Sequence, residues 1–436
     1  MPQFKTAVLT NSIMELLETK PYVLSRKLYI AEAAFEYLVS ILVSGAFLAR
    51  ITTELGFSDS LTGVLSAIVS LGCIFQLSSV FIKVRRTKPI AIIFNLLSEV
   101  LFLLLYVVPV TPLNKTVKTV AFAAFLISAY FMNGIINTKK MSWLMSLVDD
   151  KKRGKFTANK EIISLATGIV FSYAMGYIID AYKVKGEIKT AFILCAVVIF
   201  ALTVLHTLML FFSVEPVTDY KKQKGILSGF KDVFKNKTVL SLTVLFVLYR
   251  AAIYASSSFY GTYQIKELGF SQTLTAIIVS IGNIMRILFS RNMGSYADKN
   301  SFAKMERISL CFLLISFVFA ALAVPQNGMP MFCLYYITNG IAMAGTNSAL
   351  TNLVFDYVEP QKRADSLAVI QAISGLAGFL VTLLAGILVD KIQQNGNTFL
   401  GLPLYAQQVV SIISAIITAV AIAFVTFRFI KNKKAE

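Results

Sequence analysis

The feature that most constrains this chain is a succession of apolar runs, each long enough to cross a bilayer. A membrane-spanning helix needs about 20 mostly apolar residues. Twelve such runs are readable, at roughly 28–55, 58–82, 88–110, 117–147, 157–181, 188–212, 239–266, 271–296, 306–325, 328–357, 365–390 and 401–428. The fourth and tenth are long and carry Asn, Gly and Thr, which weakens their apolar signal. Composition agrees: 56% of the 436 residues are hydrophobic and 15% are charged, against about 25% charged in an average soluble domain. A chain so poor in charge cannot coat a soluble surface. Soluble enzymes, disordered chains and disulfide scaffolds are excluded, and the expected class is an all-α membrane protein.

The formal net charge is +18. A nucleic-acid ligand would need that charge gathered on one face of a soluble domain. Here it falls in short packets between apolar runs, so no nucleic-acid partner is expected. With the amino terminus placed inside, 28 Lys and Arg lie in cytoplasmic segments and 7 in outside loops. That asymmetry predicts both termini in the cytoplasm of a multi-pass protein of the cell (plasma or inner) membrane. The long polar interval 214–238 divides the chain into an amino-terminal unit, 1–213, and a carboxyl-terminal unit, 239–436, each with six runs.

The two units repeat one another. GluLeuGlyPheSer occurs at 54–58 and again at 267–271, and both copies continue to Leu-Thr, at Leu61-Thr62 and Leu274-Thr275. Residues 149–180 align without gaps to 359–390. This pairs Arg153 with Arg363, Gly168 with Gly378, Gly176 with Gly386 and Asp180 with Asp390. The matches agree in order and in topological position, as a duplicated six-helix unit requires.

Gly294, Asp298 and Lys299, followed by Lys304 and Arg307, fit a Gly-x-x-x-Asp-Arg/Lys motif after the second helix of a half. The turns at 149–154 and 359–364 fit a second motif, acidic or Pro followed by x-x-Arg-Gly/Ala. With twelve spans and a basic central loop, the chain resembles the major facilitator superfamily. That resemblance implies two six-helix bundles, alternating access and a site near the midplane lined by helices 1, 4, 7 and 10. It also implies a cytoplasmic gate in which Asp298 faces the start of helix 5. The first half departs from the motif: Arg85 stands where the repeat places Asp298. The expected compensation is a latch of swapped polarity, Asp298 with Lys155 and Arg85 with Asp365, flanked by Arg153 and Arg363. Helix 1 holds Glu32-x-x-x-Glu36, which differs in spacing from the Glu-x-x-Glu-Arg pattern of proton-coupled peptide carriers and lacks its arginine.

Charges at membrane depth are costly and usually face a cavity. Glu36 and Lys139 each lie nine residues from their cytoplasmic boundaries, about 13 Å at 1.5 Å per residue. Glu36 with Lys139 or Lys140 is therefore an expected ion pair, and Glu32 shares its helix face. Glu36 and Glu32 are the candidates for coupling a proton. Arg250, followed one turn later by Tyr254, lies near mid-membrane, and Arg286 is also deep. With Asn137 and Asn347, which are repeat-equivalent, they complete the substrate-binding candidates. Glu99 and His206, the only histidine, fall on helices 3 and 6, which the resemblance makes peripheral; they read first as structural packing residues, with a proton site at Glu99 and a proton relay at His206 as the alternatives.

No nucleotide loop, metal spacing or nucleophile–base set is visible, so neither an enzyme nor a cofactor is expected. The reading is a monomeric secondary transporter for a small polar, anionic solute. Export or flipping of amphipathic compounds, and a non-transporting receptor of transporter fold, are the alternatives.

Overall fold

The computed structural model describes residues 19–75, 86–148, 153–215, 236–359 and 363–431. Among them the helices fall into twelve segments. The amino-terminal half comprises α1 (Lys20–Glu54), α2 (Asp59–Phe75), α3 (Lys88–Val110), α4 (Lys115–Met145), α5 (Arg153–Val184) and α6 (Ile188–Phe212). The carboxyl-terminal half comprises α7 (Lys237–Glu267), α8 (Gln272–Lys299), α9 (Phe302–Ala321), α10 (Gly328–Tyr357), α11 (Arg363–Gln394) and α12 (Ala406–Lys431). A short hairpin, Thr398–Phe399 with Leu402–Pro403, joins the last two. Nine helices among the described residues are long and apolar enough to cross a membrane. The others are α2, described only to Phe75; α9, which carries Lys304, Glu306 and Arg307; and α10, the run already noted for its polar residues. The central connector lies outside the described residues from 216 to 235.

Each half has its own apolar core. Leu42, Phe122 and Phe192 are fully buried in one, and Phe317, Phe332 and Leu313 in the other. Large apolar side chains such as Val170, Phe200, Leu384 and Ile416 cover the periphery. Water would penalise that surface, whereas acyl chains match it.

Helices α1 and α7 are both broken part-way. In α1 the break follows Leu42 and ends at Gly45, whose φ is +52°, a left-handed conformation that glycine adopts without Cβ strain. The Leu42 carbonyl near this break accepts a hydrogen bond from the Tyr106 hydroxyl at 2.6 Å. In α7 the break lies between Tyr254 and Ser257. The two broken helices meet there. A Cβ on Gly261 would stand 2.9 Å from the Gly45 carbonyl oxygen, so only glycine permits the approach.

The halves touch through α2 with α11, α5 with α8, and the short outer piece of α7 with α1 and α2. At the end carrying the α1–α2 and α7–α8 turns, they are tied by two aspartates. Asp180, at the end of α5, accepts from the backbone amides of Gln272 (2.9 Å) and Thr273 (2.7 Å) and from the Thr273 hydroxyl (2.6 Å). A carboxylate at a helix start meets unpaired amides and the positive end of the dipole. Asp59, at the start of α2, accepts from Lys266 (2.6 Å) and Gln393 (2.8 Å) of the opposite half. Gly176 and Gly386, equivalent in the repeat, let α5 and α11 approach the first residues of α8 and α2: a Cβ would meet the Gln272 carbonyl at 3.1 Å and the Ser60 hydroxyl at 2.8 Å.

Candidate functional site

Glu32 and Glu36 lie one turn apart on α1, and Asn133 and Lys140 two turns apart on α4, so each pair shares a helix face. Where these faces meet, the Lys140 ammonium lies 2.9 Å from Glu32 and 2.8 Å from Glu36. Asn133 Nδ2 donates to the other oxygen of Glu36 at 3.2 Å. Lys140 is 3% exposed and Glu32 2%, while the Glu36 side chain is 31% exposed. A buried ammonium is tolerable only with such partners, since desolvating an unpaired charge costs several kcal/mol. Of the two lysines the sequence offered, Lys140 makes the pair. Lys139 is half-buried and does not line the cavity described below.

The network extends away from the cavity. His206, on α6, is 1% exposed and lies between two carboxylates. Its Nε2 is 3.1 Å from Glu32 Oε1, and its Nδ1 is 2.5 Å from Glu99 Oε1 of α3. Glu99 and His206 thus join Glu32, Glu36, Asn133 and Lys140 in a six-residue polar cluster spanning α1, α3, α4 and α6. Just below it, Trp143 Nε1 donates to the Val214 carbonyl at 3.0 Å, and the Val214 amide donates to Ser25 Oγ at 2.9 Å. These bonds hold the end of α6 to α4 and α1.

A cavity of about 570 Å³ opens beside the cluster. Glu36, Glu99, Asn133 and Asn137 line one side, Lys160 and Glu161 of α5 another, and Tyr37, Phe102 and Tyr130 supply aromatic wall. Arg286 reaches it from the opposite half and pairs with Glu161. Arg286 was expected deep in α8; Glu161 was not singled out, because it follows a basic packet and reads as a boundary residue.

Arg250, Tyr254 and Asn347 do not line this cavity. Arg250 is half-buried in α7 beside the buried Tyr249. Tyr254 packs against Gly378 of α11, where a Cβ would stand 2.9 Å from its ring, and its carbonyl accepts from Thr382 at 2.7 Å. Asn347 is exposed on α10. Of the six gate residues, Arg85 and the side chains of Lys155, Arg153 and Asp365 lie outside the described residues. Asp298 is exposed near the end of α8. Arg363 donates to the Val358 carbonyl at 3.0 Å and stacks on Phe355.

Residues 33–328 and 304–436 match the family model of the Major Facilitator Superfamily. The chain belongs to that superfamily. As a member it is a multi-pass membrane transporter of small solutes. Solved structures of superfamily type share its fold. The nucleoside transporter NupG is 16% identical, with a TM-score of 0.68 over 94% of this chain and 100% of that one. A bacterial homolog of the human lysosomal transporter Spinster, inward-facing and unoccupied, is 13% identical, with a TM-score of 0.65 over 94% and 97%. A POT family transporter in complex with 5-aminolevulinic acid is 11% identical, with a TM-score of 0.65 over 92% and 95%. At these identities the likeness is one of fold alone. No curated protein matches the chain significantly in sequence.

Within this superfamily fold, the cavity lies between the halves on the side away from the Asp59 and Asp180 ties. Its wall belongs almost wholly to the amino-terminal half, with Arg286 the contribution of the other.

Proposed function

We propose that the chain is a secondary active transporter of a small polar solute bearing an anionic group, driven by alternating access and coupled to protons. One observation carries this reading: Arg286 is paired across the cavity with Glu161, joining α8 of one half to α5 of the other. A solute anion that replaces Glu161 on Arg286 exchanges one ion pair for another and frees the two halves to move. Guanidinium suits this exchange because its fork matches a carboxylate or phosphate. Lys160 adds a second cation, while Glu36, Asn133 and Asn137 offer acceptors and amides for hydrogen-bond donors on the same solute. The cavity volume fits a small molecule.

In this reading Lys140 holds the amino-terminal wall together and Glu36 with Glu32 couples the proton. Arg250, Tyr254 and Asn347 are the groups that α7 and α10 bring to the solute when the halves rock. Asp298 with Lys155 and Arg85 with Asp365, flanked by Arg153 and Arg363, form the gate at the cytoplasmic end. The direction proposed is uptake by symport, as a monomer in the cell membrane with both termini cytoplasmic.

Thermal stabilisation of the purified protein by a panel of nucleosides, amino acids, dipeptides and small carboxylates, followed by flux in proteoliposomes, tests the reading. An anionic or zwitterionic solute should stabilise the protein, and a pH gradient should drive its flux. Equal stabilisation in Arg286→Gln would defeat the anion assignment. Stabilisation by amphipathic compounds alone would favour export or flipping, for which Phe102, Tyr130 and Val39 supply an apolar wall.

A further inference from the structure

Hydrogen bonding around His206 sets a proton count. Both ring nitrogens lie within hydrogen-bond distance of a carboxylate oxygen, Glu32 on one side and Glu99 on the other. A neutral imidazole has one N–H and one lone pair, and an ionised carboxylate only accepts. One N–H cannot satisfy both contacts. Either the ring carries a second proton or one carboxyl group does. The arrangement therefore holds one proton more than a neutral ring between two ionised carboxylates, whichever tautomer is assigned.

The charges around it agree. The carboxyls of Glu32 and Glu99 face the ring from α1 and α3, and Lys140 of α4 reaches Glu32 and Glu36. Tyr29 lies on the same side of α1, and Lys160 of α5 stands over its ring at 5.0 Å. Two buried carboxylates, Glu32 and Glu99, with Glu36 at the cavity edge, against one ammonium leave net negative charge that an added proton reduces. The site also has a way out. Glu99 lines the cavity, and its second oxygen, Oε2, is buried without a hydrogen-bond partner. At the other end of the cluster, Glu36 borders the same cavity and connects through Lys140 to Glu32.

We infer that the coupling proton resides on the Glu99–His206–Glu32 triad, with Glu99 as its point of exchange and Lys140 relaying the charge change to Glu36. This deepens the proton-coupled reading above and rests on it. On loading, a proton from cavity water forms a bond to the triad; on release that bond breaks and the proton returns to water. Once it has left, a ring lone pair faces a carboxylate and one of the two contacts must open. The helices joined there, α1, α3 and α6, then part, and Lys140 passes the change to α4.

The chain holds one histidine and one tryptophan, so each is its own reporter. Nitrogen-15 histidine NMR of the whole protein in nanodiscs reads the ring. Trp143 emission reads the junction of α4 with the end of α6. In wild type, as the pH rises, the ring signals should move from the doubly bonded to the singly protonated form, and Trp143 emission should follow the same curve. Glu99→Gln replaces an acceptor that can be protonated with an amide that donates, so its ring should stay a single neutral tautomer with no emission change. Proton uptake after an acid jump, read by a pH dye, should fall by about one proton per chain in His206→Gln.

Neutral, pH-independent ring signals in wild type would overturn the assignment. So would an emission change that survives His206→Gln but vanishes in Glu36→Gln, which would seat the proton at the cavity wall and leave the proton-coupled reading intact. A titrating ring combined with gradient-independent flux of the solute found by the panel would instead remove the proton-coupled reading itself. Retained circular dichroism in each variant separates these outcomes from misfolding.

Discussion

The third helix of each half buries a carboxyl group, and the two are treated in opposite ways. Glu99, on α3, bonds to His206 and through it joins Glu32, Lys140 and Glu36. Glu306, on α9, is fully buried; the Thr346 hydroxyl of α10 is its polar neighbour, and no cation pairs with it among the described residues. The hydroxyls of Ser309 and Thr346 are buried as well. Met305, Ala344 and Ala349 form an apolar layer at this level of the half, which offers no counter-charge. A buried polar group gains from its setting only when its bonding is complete. The amino-terminal half has a connected network beside a cavity, whereas the carboxyl-terminal half has a sealed acid in an apolar layer. The first is the cluster proposed to exchange protons; the second is enclosed by packing.

The sharpest way to break this contrast is Lys140→Met. It strands Glu32 and Glu36 without their shared counter-charge, and loss of one partner of a buried ion pair costs about 3–5 kcal/mol. The expected result is a large fall in the detergent unfolding midpoint, with partial rescue when Glu32→Gln is added.

In the other half, integrity depends on backbone proximity. A Cβ on Gly340 would stand 2.2 Å from the Gly282 carbonyl oxygen, where α10 crosses α8. Gly340→Ala should cost about 1–3 kcal/mol by forcing these helices apart, visible as a lower midpoint with the His206 NMR signals unchanged.

Asp180→Ala removes the acceptor for the first amides of α8 and should cost about 1 kcal/mol. Its diagnostic effect is conformational: cysteine labelling at the α7–α8 turn should become faster.

The smallest effect belongs to Glu306→Met. Replacing a buried acid that makes no ion pair with an apolar side chain of similar length should change stability by about 1 kcal/mol or less, or raise it. A large loss would show that Glu306 has a charged role and would erase the contrast.

The architecture was legible because a bilayer imposes a length and a composition on every span, and a duplicated unit writes its motifs twice. The Glu36–Lys140 pair could be anticipated because depth follows from residue counting along two helices. His206 and Glu99 could not be, because nothing local to either residue marks the other. They are 107 positions apart in the chain, and His206 is 174 from Glu32. Each looks like an isolated polar residue on an apolar helix, and only the packing of α6 against α1 and α3 brings them together. Glu161 was missed for a different reason: the positive packet beside it marks the membrane edge, while α5 already begins at Arg153 and brings Glu161, two turns in, to the cavity.

The tie between Asp180 and α8 has an evolutionary consequence. Two of its three bonds come from main-chain amides, which every residue except proline supplies. Sequence drift at 272 and 273 therefore leaves most of the tie standing, whereas drift at 180 removes all of it at once. Mutational tolerance across this joint should be lopsided, permissive on the donating helix and strict at one carboxylate. A saturation library at the three positions would reveal that asymmetry without any knowledge of the cargo.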